Sequence, residues 1–149
     1  MLNPNSSSLI YTDVQLDRAG INRKNEAWVA SRKQDELSRI VAVWRNRSLI
    51  TESADGPRAL IPRRKDATKL VQMIDELVFL GLDNENIPVF SVDISHLDEG
   101  DAMAFAGECG NFVDLRQLGW IIPHYEASLL AYARGLTHWH RTQRYCGHC

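Results

Sequence analysis

The chain has 149 residues, 44% of them apolar, and a formal charge of −2. That suffices for one domain with a real core, and the near-neutral balance excludes a broad basic field for nucleic acid. No apolar run reaches the ~18 residues that span a bilayer. Residues 1–8 lack the charged and apolar regions of a signal peptide, so the expected compartment is the cytoplasm.

Residues 1–12 read as a flexible arm, because Asn3-Pro4-Asn5 and three serines offer little to bury. Around residues 23–33, Ala27, Trp28 and Ala30 amid charges predict a short helix. Residues 40–44, Ile-Val-Ala-Val-Trp, are β-rich and apolar and predict a buried strand. Residues 45–48 turn it, and Leu49-Ile50 begin its return. Asp55-Gly56-Pro57 is a second turn signal, followed by a short strand over 58–61 closed by Pro62.

Asp66, Ala67 and Thr68 offer caps for a helix whose Leu70, Val71, Ile74 and Leu77 share one face. Residues 78–82 and 87–94 are β-rich runs separated by Asp83-Asn84-Glu85-Asn86, so they predict a hairpin. Pro88 sits near the start of its second strand, where a missing donor does least harm. Residues 102–106 suit a short helix or a covering loop. Asp98, Glu99 and Asp101 form a brief acidic cluster, read as a solvated loop in preference to a metal site.

Residues 124–143 predict a long helix of roughly 30 Å. Leu129, Tyr132, Ala133, Leu136 and Trp139 form its apolar stripe. Gly135 costs that helix about 1 kcal/mol against alanine, which close packing against a neighbour would explain. The order of elements is neither regular βαβ nor all-β. The fold class expected is therefore α+β: a small, mostly antiparallel sheet with flanking helices and a long C-terminal helix.

That helix leads to Tyr145-Cys146-Gly147-His148-Cys149, a C-x-x-C pair. Cys109 is the third cysteine, and this odd count does not resemble a secreted disulfide framework. Two thiolates at this spacing supply half of a tetrahedral zinc site. His140, on the helix just before the pair, is a further candidate ligand. A redox pair fits less well, since catalytic C-x-x-C motifs sit at helix N-termini. Two free thiols on a tail remain the plain alternative. From His138 onward Arg141, Arg144 and three histidines occur without an acid, either an anion-facing patch or a solvated helix end.

Several stretches together resemble the NADH pyrophosphatase family of the Nudix superfamily. They are Ala131-Tyr132-Ala133-Arg134-Gly135-Leu136, then Trp139-His140, then Tyr145 to Cys149. Upstream, Leu16-Asp17-Arg18 with Arg23-Lys24 and Trp28, Phe79-Leu80-Gly81-Leu82-Asp83 with Pro88-Val89-Phe90, and Asp114-Leu115-Arg116 are similar to that family in order.

The resemblance implies an N-terminal, non-catalytic Nudix-like domain over 13–123, a connecting helix over 124–143, and over 144–149 the first knuckle of a truncated zinc ribbon. It implies a parent enzyme that hydrolyses NADH or NAD to nicotinamide mononucleotide and AMP. Such enzymes are homodimers, use Mg²⁺ or Mn²⁺, and in some cases remove NAD caps from RNA. By position, Cys146 and Cys149 would be zinc ligands, and Arg116 and Arg63 would be substrate-binding residues. A guanidinium suits a diphosphate because its planar fork matches phosphate oxygens. A surface salt bridge to Asp114 is the competing reading of Arg116.

Nudix chemistry needs a glutamate-rich helix to hold its metal against the diphosphate. These residues contain no Arg-Glu or Glu-Glu dipeptide, and the eight glutamates are scattered singly. The expectation is therefore no diphosphatase activity from this chain alone. Alternatives are a non-enzymatic nucleotide-binding module or a zinc-linked interaction module.

Overall fold

The computed structural model describes residues 15–67, 76–118 and 120–143. The arm over 1–12, the helix expected to begin at Thr68, and Cys146 and Cys149 lie outside them, wholly or in large part. After a 3-10 turn at Asn22–Lys24 come α1 (Glu26–Lys33), β1 (Arg39–Trp44), β2 (Arg47–Ser53) and β3 (Gly56–Ala59). A second 3-10 turn, Arg64–Asp66, leads toward β4 (Val78–Leu82) and β5 (Pro88–Asp93). Then follow α2 (Glu99–Ala106), β6 (Gly110–Val113), α3 (Leu115–Leu118) and α4 (His124–Thr142).

The strands form one sheet in the order β3-β2-β1-β5-β4, with β6 also paired to β2. β1 and β5 run parallel, Arg39 opposite Val89 and Val43 opposite Asp93, while the remaining pairings are antiparallel. The sheet is thus mixed within an α+β fold. Its centre reads as a continuous apolar run because both faces are covered, which is the usual reason for such runs.

One face of the sheet carries Ile40, Ala42, Trp44, Phe90, Val92 and Phe112, packed with α2 and with Trp28 and Val29 of α1. The other carries Val41, Val43, Ile50, Leu80 and Val89, packed with Leu115, Leu118, Ala127, Leu130 and Ala133. Buried Trp44 satisfies its indole by donating to the Leu97 carbonyl at 3.1 Å.

Each turn has a local cause. Arg45 and Asn46 both take positive φ, 47° and 63°. Together they make the two-residue turn whose twist matches a hairpin, with Trp44 opposite Arg47. Asp83 accepts the N–H groups of Glu85 and Ile87, each at 2.9 Å, and so closes the β4–β5 loop. Asp17 bridges Leu82 through two backbone hydrogen bonds of 2.9 and 2.8 Å. Gly81 permits that approach: a Cβ there would stand 2.6 Å from the Asp17 carbonyl oxygen.

Three expectations change. The acidic cluster is not a loop: Asp98 caps α2 by accepting the Asp101 N–H at 2.8 Å, and Glu99 and Asp101 occupy its first turn. The buried face of α4 is Glu126, Ala127, Ser128, Leu130, Ala133 and Thr137. Leu129, Tyr132 and Leu136 lie at its edge, and Trp139 is 55% exposed. Small residues let the helix approach the sheet, and Glu126 is drawn inward by Arg58. Finally, no neighbour among the described residues explains Gly135, since a Cβ there would meet none of them within 4 Å.

Candidate functional site

The site is built where β6 hands the chain to α3. Val113 pairs with Ser48, and Ser48 pairs with Val43, so Asp114 emerges beside the end of β1 where Arg45 and Asn46 turn. Asp114 accepts the Arg116 N–H at 3.0 Å and so fixes the first turn of α3. It also receives the Arg116 side chain, with Nη2 at 2.8 Å from Oδ2 and Nε at 3.3 and 3.2 Å from the two oxygens. From α4, Arg134 Nη1 reaches Asp114 Oδ1 at 3.7 Å.

An open cleft of about 460 Å³ lies here, lined by Asn46, Leu115, Arg116, Ala131, Arg134, Gly135 and His138. The bare backbone of exposed Gly135 keeps one wall low. Hydrogen bonds from the Arg116 side chain and N–H hold the Asp114 carboxyl at about 2, below the usual 3.8; Arg134 adds a smaller attraction. Reciprocally, Asp114 raises the Arg116 guanidinium. Two permanent cations therefore share one carboxylate, leaving one net positive charge.

This geometry suits a small, multiply charged anion. Arg116 is 79% exposed at its side chain and spends only Nε and part of Nη2 on Asp114. The remaining donors face outward in the fork that phosphate oxygens match. Residues 37–139 match the family model for the NADH pyrophosphatase-like rudimentary NUDIX domain. The chain belongs to that family. A comparison with curated proteins returned no match.

Within the rudimentary NUDIX domain, the positions singled out by sequence are not brought together. Arg116 lines the cleft at one end of β1. Arg63 is exposed and its backbone pairs with Arg39, at the other end of the same strand. Four residues of strand, about 13 Å, separate those levels. The salt bridge weighed against Arg116 is present, yet it leaves the guanidinium largely exposed.

The histidines also part company. His138 lines the Arg116 cleft, whereas His140 lines a separate groove with Arg23, Lys33 and Phe79. Cys146 and Cys149 lie outside the described residues. Among the described residues, no three His, Cys, Asp or Glu side chains form a metal-holding group. No helix among them is long and apolar enough to cross a membrane.

In the sequence Arg134 stands out only within the Ala131–Leu136 resemblance. A signal was present in the helical spacing: Ala131, Arg134, Gly135 and His138 recur at the i, i+3, i+4 and i+7 positions of one face. Asn46, expected only as part of the turn over 45–48, is placed at the cleft by its left-handed conformation.

Proposed function

We propose that this rudimentary NUDIX domain is the non-catalytic N-terminal part of an NAD(H) diphosphatase, where it supports the enzyme and offers Arg116 to the substrate diphosphate. The carrying observation is the exposed guanidinium of Arg116, held by Asp114 over an open cleft in a chain of this family. Arginine donors aimed at a site stabilise phosphate charge without needing to react. The missing glutamate-rich helix agrees with chemistry supplied elsewhere in the parent. Hydrolysis there would follow the family pattern, with Mg²⁺ or Mn²⁺ and products nicotinamide mononucleotide and AMP; NAD-capped RNA is a further candidate substrate.

Calorimetry of the purified chain with NADH, NAD and AMP tests the reading. Dinucleotide binding that Arg116→Ala weakens is the expected result. Unchanged binding in that variant rejects the role of Arg116, and robust AMP formation from NADH and Mg²⁺ by the pure chain rejects the non-catalytic assignment. An Arg63→Ala variant shows whether the far end of β1 also contributes.

The thiolates of Cys146 and Cys149 suit zinc and would provide half of a closed site. Homodimerisation belongs to the same reading, and Trp120 and Ile121, 84% and 61% exposed, offer apolar surface for it. Metal analysis against oligomeric state separates this from a zinc-linked interaction module, which needs one zinc per dimer. A cytoplasmic location completes the proposal.

A further inference from the structure

The site has a second arm. Arg134 projects from α4 into the same cleft as Arg116, and both approach the same carboxylate oxygen, Asp114 Oδ1. Its side chain is only 28% exposed, yet its ion pair at 3.7 Å exceeds hydrogen-bond length. Among the described residues, none accepts a hydrogen bond from its guanidinium. A partly sheltered cation with free donors, beside a second cation and short of negative charge, is a place for an anion. Gly135, next in the helix, leaves the approach clear.

We propose that Arg116 and Arg134 act as one two-armed clamp for the diphosphate of a dinucleotide, with Asp114 as the internal counter-ion that keeps the arms together before ligand enters. The proposal rests on the reading of Arg116 as a substrate contact and adds α4 as a second, independent support for the ligand. Because α4 is also the helix that leads toward Cys146, a bound diphosphate would tie α3 to that helix.

The test is calorimetric titration of the 149-residue chain with inorganic pyrophosphate and, separately, with NADH and AMP. Three variants are compared: Arg116→Ala, Arg134→Gln and Asp114→Asn. Melting curves accompany each, so that loss of fold is not mistaken for loss of binding. Arg134→Gln is expected to weaken pyrophosphate and NADH binding by about tenfold or more, as befits loss of a charge-assisted bond, with the melting temperature nearly unchanged. Asp114→Asn keeps an acceptor but removes the competing charge, so it should tighten binding.

If Arg116→Ala abolishes binding and Arg134→Gln leaves it intact, the clamp is overturned while the Arg116 reading stands. If Asp114→Asn and Arg134→Gln weaken binding equally, their pair is a structural tie and the clamp is again overturned. No binding by the unmodified chain overturns both the clamp and the reading beneath it.

Discussion

Two arginine–carboxylate pairs hold the two halves of α4, and they are built for opposite ends. At the start of the helix, Glu126 is 6% exposed and fully engaged. It accepts Arg58 Nε at 2.8 Å and Nη2 at 2.6 Å, the Ala59 N–H at 2.8 Å and the Tyr125 hydroxyl at 3.2 Å. The bonded carboxylate raises the Arg58 guanidinium. Further along, Asp114 draws on two arginines, and Arg116 stays largely in solvent. A buried carboxylate that accepts four hydrogen bonds is a structural anchor. A part-buried one shared between two cations, one of them exposed, leaves donors for something else.

The largest expected effect breaks the anchor. Glu126→Ala removes the charge that Arg58 and the Ala59 N–H were arranged around, at the junction of α4 with β3. Stranding one member of such a pair is costly, so the melting temperature should fall by about 10 °C. Asp114→Ala should lower it less, by about 3 °C, through loss of the acceptor that caps the first turn of α3, since ion pairs open to solvent add little. Thermal melts of the two variants side by side check the contrast. Equal falls would dissolve the distinction between anchor and site.

A smaller effect comes from Gly135→Ala. With none of the described residues within 4 Å of the added methyl, the substitution meets no clash there and the helix gains intrinsic propensity. It should stabilise the chain by about 1 kcal/mol, measured by denaturant unfolding. A loss of stability would mean that the wall beside Arg134 is packed after all.

Legibility followed the same division. The hairpins and the central strand were readable because their causes are local: continuous β-rich apolar runs, turn residues and the position of Pro88. Strand β6 was not, since Gly110, Asn111, Phe112 and Val113 bury only Phe112 and the strand exists by pairing with β2. The face of α4 was misread because Glu126 counts as polar in sequence and is buried only through Arg58, distant along the chain. Likewise, Arg116 carried a resemblance but not its surroundings. Asn46 and Arg134 join it through the sheet order, which no local pattern reports. The parallel β1–β5 pairing, which sets which turns share an end of the sheet, was equally invisible.

The subtlest prediction concerns Asp114 itself. Its carboxyl should titrate at about 2 in the folded chain because Arg116 bonds it first through the side chain and then through the backbone N–H. A folded value below the usual 3.8 means that the ionised form is favoured by folding. The stability it brings is therefore present above about pH 4 and drains away as pH falls toward 2. Carboxyl NMR on the chain and on Arg116→Ala separates the contributors. Removing the Arg116 side chain should return much of the shift toward 3.8, with the backbone N–H of residue 116, and to a smaller degree Arg134, holding back the remainder. A value that stays near 2 would show that the backbone N–H of residue 116 and Arg134, rather than the Arg116 side chain, set the shift, and the close ion pair at the head of α3 would lose its place at the centre of the site.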